Sequence, residues 1–142
     1  MKMNKKIENS LNLLLDTAKT LGAECTTVIA NENTSVNVAA RLGKLENVER
    51  NESSSIGLEI IDHKRKVSLS STNLNEDSLK ELANNAMNMV KSIPVDEYCG
   101  LADKEMLYNG NLDLNLVDNY VPKNNDLLDN SIDAEESAFN IH

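Results

Sequence analysis

The sequence predicts an α+β fold, in which an antiparallel meander sheet of four to five strands carries two long helices on one face and an irregular C-terminal extension follows. Short extended segments separated by turn signals fill residues 25–71, and stretches with helical periodicity precede and follow them. Short connections favour antiparallel strands, because parallel pairing needs a longer crossover. The order helix, strands, helix is typical of a sheet covered by helices on one side.

The first helix is predicted over residues 4–21, and Gly22 follows where a left-handed glycine would end it. Its apolar residues recur at the spacing of a single helix face. These residues are Ile7, Leu11, Leu14, Leu15, Ala18 and Leu21. Because this stripe must be buried, we expect Leu14 to pack against Leu58 of the sheet that follows.

Residues 34–42 alternate between apolar and polar side chains, which is typical of a half-buried strand. The predicted inward side chains are Val36, Val38, Ala40 and Leu42. Gly43-Lys44 is the predicted two-residue turn after this strand. Further strands are predicted at ECTTVIAN, LENVER, SSSIGLEIID and VSLSS, the last two joined by the charged turn DHKRK.

A second helix is predicted between a capping Asn75 and Pro94, with one apolar face formed by Leu79, Leu82, Ala83, Ala86 and Val90. We therefore expect an α+β domain over residues 3–95. Residues 96–130 are rich in Asn and Asp and lack periodicity, so an irregular extension is predicted there. Asp133 and Glu136 have capping-box spacing, which predicts a helix over residues 131–142 and suggests a fragment of a longer protein.

Charge and hydropathy of the sequence argue against nucleic acid and membranes as binding partners. The net charge is −9, and residues 111–142 hold seven acidic side chains against one lysine. An acidic chain without a basic patch is a poor ligand for nucleic acid, whose phosphates supply most of the affinity. The sequence has no apolar run long enough to span a bilayer and no signal-peptide pattern at its N-terminus. We expect a cytoplasmic protein without direct nucleic-acid or membrane binding.

No pattern of catalytic or metal-binding residues is found in the sequence. The two histidines, His63 and His142, lie far apart, and no zinc, phosphate-binding or dinucleotide motif is present. His63 lies in a basic turn and is interpreted first as a solvated residue, with a contact role as the alternative. Cys25 and Cys99 form no CxxC pair, so buried or incidental thiols are favoured over disulfide or metal roles. From the residues alone, the prediction is a small α+β domain without its own active site, and enzymatic activity stays uncertain.

Several segments in order resemble the N-terminal domain of the PmbA/TldD (modulator of DNA gyrase) family. They are RLGKLENVERNESSSIGLEII, HKRKVSLSSTNLNEDSLKELANNAM and DEYCGLADKEML, followed by NLDLNLVD. The recurring features are an R-x-G-x-x-E-x-V-E hairpin, an S-x-G-x-x strand, and S-x-S-S-T-x-L entering a helix. The resemblance covers nearly the whole chain and is closer to the PmbA (TldE-like) subunit than to TldD.

The resemblance implies a two-part metallopeptidase system. Its TldD-type subunit carries a zinc-binding HExxxH motif in its C-terminal half, which this sequence does not contain. The resemblance therefore implies no catalytic or metal residue here, no cofactor in this fragment, and zinc in a TldD-like partner. The expected contribution of this chain is architectural, helping to enclose a chamber that accepts unfolded peptide for proteolysis.

A peptide-contact site is predicted at residues 51–57, interpreted as an exposed strand edge. The segment is rich in small residues, and backbone pairing at an edge ignores the sequence of the peptide. The predicted contact residues are Asn51, Ser53, Ser54, Ser55 and Gly57. Two alternatives stay open: these residues only form a turn into the next strand, or the chain is a stand-alone module that binds a partner protein by sheet-edge pairing.

Overall fold

The computed structural model describes residues 5–141 and has an α+β architecture. Three α-helices and a three-stranded antiparallel sheet with the strand order β1-β2-β3 make up the described chain. The predicted start of the first helix at residue 4 and the predicted end of the last helix at residue 142 lie outside the described residues. The elements are α1 (Lys5–Thr20), β1 (Cys25–Arg41), β2 (Lys44–Asp62), β3 (Arg65–Ser71), α2 (Glu76–Ser92), a 3-10 turn (Lys104–Met106) and α3 (Asn124–Phe139).

The prediction of four to five strands is wrong, because two pairs of predicted strands are continuous. ECTTVIAN and the alternating segment after it form β1, of 17 residues, while LENVER and SSSIGLEIID form β2, of 19 residues. The polar runs between them were interpreted as turns. Polar residues that face solvent on both sides do not interrupt a strand when its partner pairs along the full length.

Both hairpin turns use two residues with positive φ. Leu42 (φ 52°) and Gly43 (φ 69°) connect β1 to β2, one position earlier than predicted, and His63 (φ 48°) and Lys64 (φ 58°) connect β2 to β3. Two consecutive left-handed residues match the right-handed twist of the flanking strands. Because Leu42 lies in the turn, its predicted inward orientation is wrong, and its side chain is 72% exposed.

The described residues divide into two compact units. Within the described residues, unit 1 consists of residues 5–32 and 53–108, and unit 2 of residues 33–52 and 109–141. These two units are defined by the contacts between residues. The predicted division into an α+β domain that ends at residue 95 and an irregular extension stays a prediction. Strands β1 and β2 contribute residues to both units.

Unit 1 is built on one hydrophobic core between the sheet and two helices. Antiparallel pairing of β2 with β3 runs from Ile56 opposite Ser71 to Asp62 opposite Arg65. α1 packs against α2, and α2 packs against β3. The core residues are Leu14, Ala18, Ile56, Leu58, Ile60, Val67, Leu79, Ala83, Ala86, Met87 and Val90. The apolar stripes of both helices thus contribute to one core, in which α2 lies on the sheet and α1 lies against α2.

The helix patterns of unit 1 are confirmed with one exception. Leu14 is fully buried, but Leu15, predicted on the same stripe, is 39% exposed. The Gly22 prediction is confirmed by its φ of 88° and by the two hydrogen bonds of a Schellman motif. The Ala23 amide donates to the Ala18 carbonyl at 3.0 Å, and the Gly22 amide to the Lys19 carbonyl at 3.0 Å.

Helix α3 begins at Asn124, so the prediction that a helix starts near Asp133 is wrong. The Lys123 amide donates to the Asp126 carboxylate at 3.1 Å, which satisfies one of the free N–H groups at the helix start. Asp133 and Glu136 have the right spacing for a cap but lie inside the helix. The irregular segment predicted to end at residue 130 is correspondingly shorter.

Unit 2 consists of a β-hairpin arm and α3. The half-buried residues of α3 follow helical spacing and are Leu127, Leu128, Ser131, Ile132 and Glu135. The Glu135 carboxylate accepts hydrogen bonds from the Leu42 and Gly43 amides at 2.8 and 2.7 Å. The Ser131 hydroxyl lies 3.3 Å from the Val38 carbonyl and 2.9 Å from the Leu127 carbonyl of its own helix, and it shares its one hydrogen between them. These contacts attach the helix to the hairpin turn and to β1.

In the part of the chain that the structure describes, none of the helices is both long and apolar enough to cross a bilayer.

A candidate peptide-contact face on the sheet

The sheet of unit 1 has a second face that turns away from α1 and α2. Strand alternation places Gly57, Glu59 and Ile61 of β2 on this face, opposite Ser70, Ser68 and Lys66 of β3. Thr27 and Ile29 of β1 complete it, and Ile29 is 66% exposed. We call these eight residues the open face. An exposed Ile beside small polar residues suits contact with a chain of mixed sequence.

A groove of about 330 Å³ lies on the open face, and Gly57 is one of its lining residues. Its lining also includes Thr27, Ile29, Glu59 and Ser70. A Cβ atom added at Gly57 would lie 3.8 Å from the Ile29 carbonyl oxygen and 4.0 Å from that of Leu69, which is ordinary contact. The groove therefore exists because glycine leaves the backbone of the middle strand uncovered.

Glu59 carries the main charged contacts of the open face. Its Oε2 lies 3.4 Å from Lys66 Nζ and accepts a hydrogen bond from the Ser68 hydroxyl at 3.1 Å. The pair is partly exposed, so it adds little to stability. The pair places a hydrogen-bond acceptor, the Glu59 carboxylate, and a donor, the Lys66 ammonium, beside the groove. Both suit the amide groups of an extended peptide.

A second cavity, of about 530 Å³, adjoins the groove and shares Glu59 with it. Ile61 and Lys66 line it from the sheet, and the segment of residues 93–102 lines it from the other side. The Asp96 amide donates to the Lys64 carbonyl at 2.9 Å, which holds this segment beside the β2–β3 turn. The two cavities together make an elongated surface along β2.

The predicted contact residues occupy different environments. Asn51 and Ser53 are exposed, Ser54 and Ser55 are half-buried, and only Gly57 lines the groove. The segment was interpreted as an exposed strand edge. At Gly57 this interpretation is wrong, because β2 is the middle strand and Gly57 pairs with Ser70. The β3 register begins at Ile56, so it does not include residues 51–55. Their contact with peptide stays a prediction.

Sequence reasoning missed the residues that neighbouring strands bring to Gly57. Thr27 and Ile29 precede it by about 30 positions, and Ser68 and Ser70 follow it. The alternation of VSLSS indicated which residues point away from the core. The strand order was the missing information, because it decides which outward residues become neighbours.

One set of potential metal ligands is also brought together by the fold. One donor atom from each of Glu24, Asp62 and His63 lies within 4.8 Å of the others. No sequence motif indicates this set, because β1 and most of β2 lie between Glu24 and the other two residues. Cys25 and Cys99 are free thiols outside this set.

Comparison with known families gives a match at residues 27–90, to the family described as PmbA/TldA metallopeptidase domain 1. The chain is 29% identical over 137 residues to Metalloprotease PmbA of Escherichia coli O157:H7. It is 26% identical over 138 residues to a PmbA homolog of Haemophilus influenzae. Each alignment covers 95% of this chain and 30% of the relative, so the chain spans less than a third of the length of these relatives.

Two solved structures share the fold. A putative modulator of DNA gyrase from Bacteroides thetaiotaomicron matches with a TM-score of 0.69 and 18% identity, over 78% of this chain and 25% of that one. TldE from Thermococcus kodakarensis matches with a TM-score of 0.52 and 14% identity, over 65% of this chain and 20% of that one. At these identities the likeness concerns the fold alone.

Proposed function

Because this chain belongs to the PmbA/TldD metallopeptidase family through the first domain at residues 27–90, we propose that it is a non-catalytic N-terminal part of a zinc peptidase system. In this proposal it acts in the cytoplasm, closer in kind to the PmbA than to the TldD subunit. It helps to form the chamber that accepts unfolded peptide, and a TldD-like subunit supplies the catalytic zinc.

The observation that carries the proposal is the groove at Gly57 on the open face. It lies inside the matched domain, and its lining includes Gly57, which has no side chain to cover the strand backbone. A surface that must accept many sequences benefits from contacts with the peptide main chain. The Glu59–Lys66 pair and the Ser68 and Ser70 hydroxyls offer such contacts on either side of the groove.

The elongated shape supports an extended ligand. The groove and the adjoining cavity share Glu59, so a peptide several residues long would lie along β2 towards residues 93–102. In this proposal Ser53 and Ser55 contact the same peptide further along, because alternation places them on the face of Gly57. Ser54 falls on the other face of the strand.

An NMR titration of the chain with a reduced, unfolded peptide tests the site. We expect saturable amide shifts at the open face, and a Gly57→Val variant that folds normally but binds at least about tenfold more weakly, a loss of about 1.4 kcal/mol. Valine suits a strand, and its Cβ has room, but its methyl groups would fill the groove. Thr34→Val, an exposed strand position outside the groove, is the matched control.

Shifts confined to the outer edge of β3 would contradict the open-face site. They would instead favour the second candidate function, a stand-alone module that binds a partner by sheet-edge pairing, since β3 is an outer strand of the sheet.

Proteolysis is tested separately. We expect no cleavage of an unfolded peptide by this chain alone, with or without added zinc, because its sequence has no HExxxH motif. Chelator-sensitive cleavage by the purified chain would contradict the non-catalytic role.

A further inference from the structure

The cluster of Glu24, Asp62 and His63 lies outside the open face and has no role in the proposed function. Asp62 is the last residue of β2, His63 begins the β2–β3 turn, and Glu24 immediately precedes β1. Three donor atoms, one from each side chain, lie within 4.8 Å of one another. Two carboxylates and one imidazole form a mixed oxygen and nitrogen ligand set.

The Asp62 carboxylate is the most unusual member of the cluster. Its side chain is only 10% exposed, and the one basic side chain within ion-pair distance of it in residues 5–141 is His63, whose Nδ1 lies 3.2 Å from Oδ1. Lysine and arginine make no ion pair with it in that part of the chain. Buried carboxylates are normally paired with a cation or coordinate a metal, because burial without either is costly.

The three basic residues that follow the cluster are engaged elsewhere. Lys64 Nζ donates to the Glu97 carbonyl at 3.5 Å, Arg65 Nε donates to the Ile93 carbonyl at 3.0 Å, and Lys66 Nζ pairs with Glu59 at 3.4 Å. None of these contacts involves Glu24 or Asp62. Within residues 5–141 the lysine and arginine side chains of the turn therefore make no ion pair with the two carboxylates, and His63 is the residue of the turn that contacts both.

Glu24 is held in place by the turn itself. Its Oε2 accepts a hydrogen bond from the His63 amide at 3.0 Å, which leaves Oε1 as the free oxygen. Outer hydrogen bonds of this kind orient a metal ligand and raise its affinity. The backbone amide of His63 thus orients the Glu24 carboxylate, while the imidazole of His63 supplies a donor atom to the cluster.

We propose that Glu24, Asp62 and His63 bind one first-row divalent cation, with Zn²⁺ the best match. An imidazole with carboxylates suits zinc, whereas Mg²⁺ and Ca²⁺ prefer oxygen ligands alone. Water completes the coordination. The ion is structural rather than catalytic, because it joins the start of β1 to the β2–β3 turn. This proposal replaces the expectation from sequence that the fragment holds no metal.

Calorimetric titration of the chain with zinc chloride tests the site. We expect one zinc per chain, unaffected by excess Mg²⁺. His63→Asn removes the imidazole but suits the left-handed backbone at φ 48°. The affinity of this variant for zinc should fall by more than roughly 10- to 100-fold, which is the loss expected when a residue that only hydrogen-bonds to a metal ligand is removed. His142→Asn, which removes the other histidine of the sequence, is the control and should bind as the unmodified chain does.

A thermal melt with and without zinc gives a second measurement. Binding to the folded state alone raises the melting temperature, and Glu24→Gln, which keeps an oxygen for the His63 amide, should abolish that rise. Absence of zinc binding in the unmodified chain would overturn the proposal. Equal binding by folded His63→Asn, or equal losses in His63→Asn and His142→Asn, would also overturn it.

Discussion

Unit 1 and unit 2 share strands β1 and β2, and they differ in what those strands bury. In unit 1, Ile56, Leu58 and Ile60 of β2 are buried against the two helices. In unit 2, none of the described residues is fully buried, and α3 meets the hairpin through half-buried side chains. Its shortest contacts between α3 and the hairpin are the two hydrogen bonds from the turn amides to Glu135.

The difference teaches that strand formation and core formation are separate properties of one sequence. A two-residue turn and antiparallel pairing extend the ribbon wherever the backbone partners exist. Stability comes from the apolar area removed from water, which is concentrated in unit 1. We therefore expect unit 1 to dominate global unfolding and unit 2 to open locally.

The largest expected effect is in the core of unit 1. Leu14→Ala should lower the free energy of unfolding by about 2–5 kcal/mol, because a fully buried leucine leaves a cavity, and Leu58→Ala should do the same. Urea denaturation measures the change. Leu15→Ala, the adjacent and partly exposed leucine, should cost less than about 1 kcal/mol. Similar losses for Leu14 and Leu15 would mean that the buried helix face is assigned wrongly.

A smaller effect is expected at the contact between α3 and the hairpin turn. Glu135→Gln removes the charge that accepts two backbone hydrogen bonds, which should cost about 1.5 kcal/mol locally. Amide exchange at Leu42 and Gly43 should then accelerate roughly tenfold, the factor that corresponds to this energy, with exchange in unit 1 unchanged. Glu136→Gln, the exposed neighbour, is the control. Unchanged amide exchange at Leu42 and Gly43 would contradict the role of Glu135 in stabilising the turn.

The smallest expected effect is a gain at the same turn. Leu42 adopts φ 52° with an exposed side chain, and Asn-Gly is the preferred pair for such turns. Leu42→Asn should stabilise the hairpin by about 0.5–1 kcal/mol, because asparagine tolerates left-handed backbone better than leucine. Slower amide exchange at residues 40–45 would measure it. Gly43→Ala, at φ 69°, should have the opposite sign, and a gain there would contradict the turn assignment.

Much of the fold was predictable because periodicity survives in the sequence of unit 1. The stripe of α2 and the glycine after α1 were both identified from spacing, and the structure confirms them. The strand count and the start of α3 were wrong for a common reason. Polar runs and capping pairs are local signals, and pairing with a distant partner overrode both.

The candidate sites were less predictable than the fold. Gly57 was predicted from sequence as a peptide-contact residue, but its neighbours Ile29 and Ser70 come from other strands. The Glu24, Asp62 and His63 cluster had no sequence signal, since the basic residues beside His63 pointed to a solvated turn. Only the structure shows that these basic side chains contact the Glu97 and Ile93 carbonyls and the Glu59 carboxylate instead of the cluster.

The sequence by itself determined the elements with strong local patterns: two amphipathic helices, a left-handed glycine cap and strands that alternate towards one core. These depend on spacing along the chain, which packing in unit 1 only reinforced. The tertiary structure decided that β2 is the middle strand, that Gly57 lies in a groove, and that Glu24 meets Asp62 and His63. Such juxtapositions depend on strand order and turn position, which bring together residues that no local pattern connects.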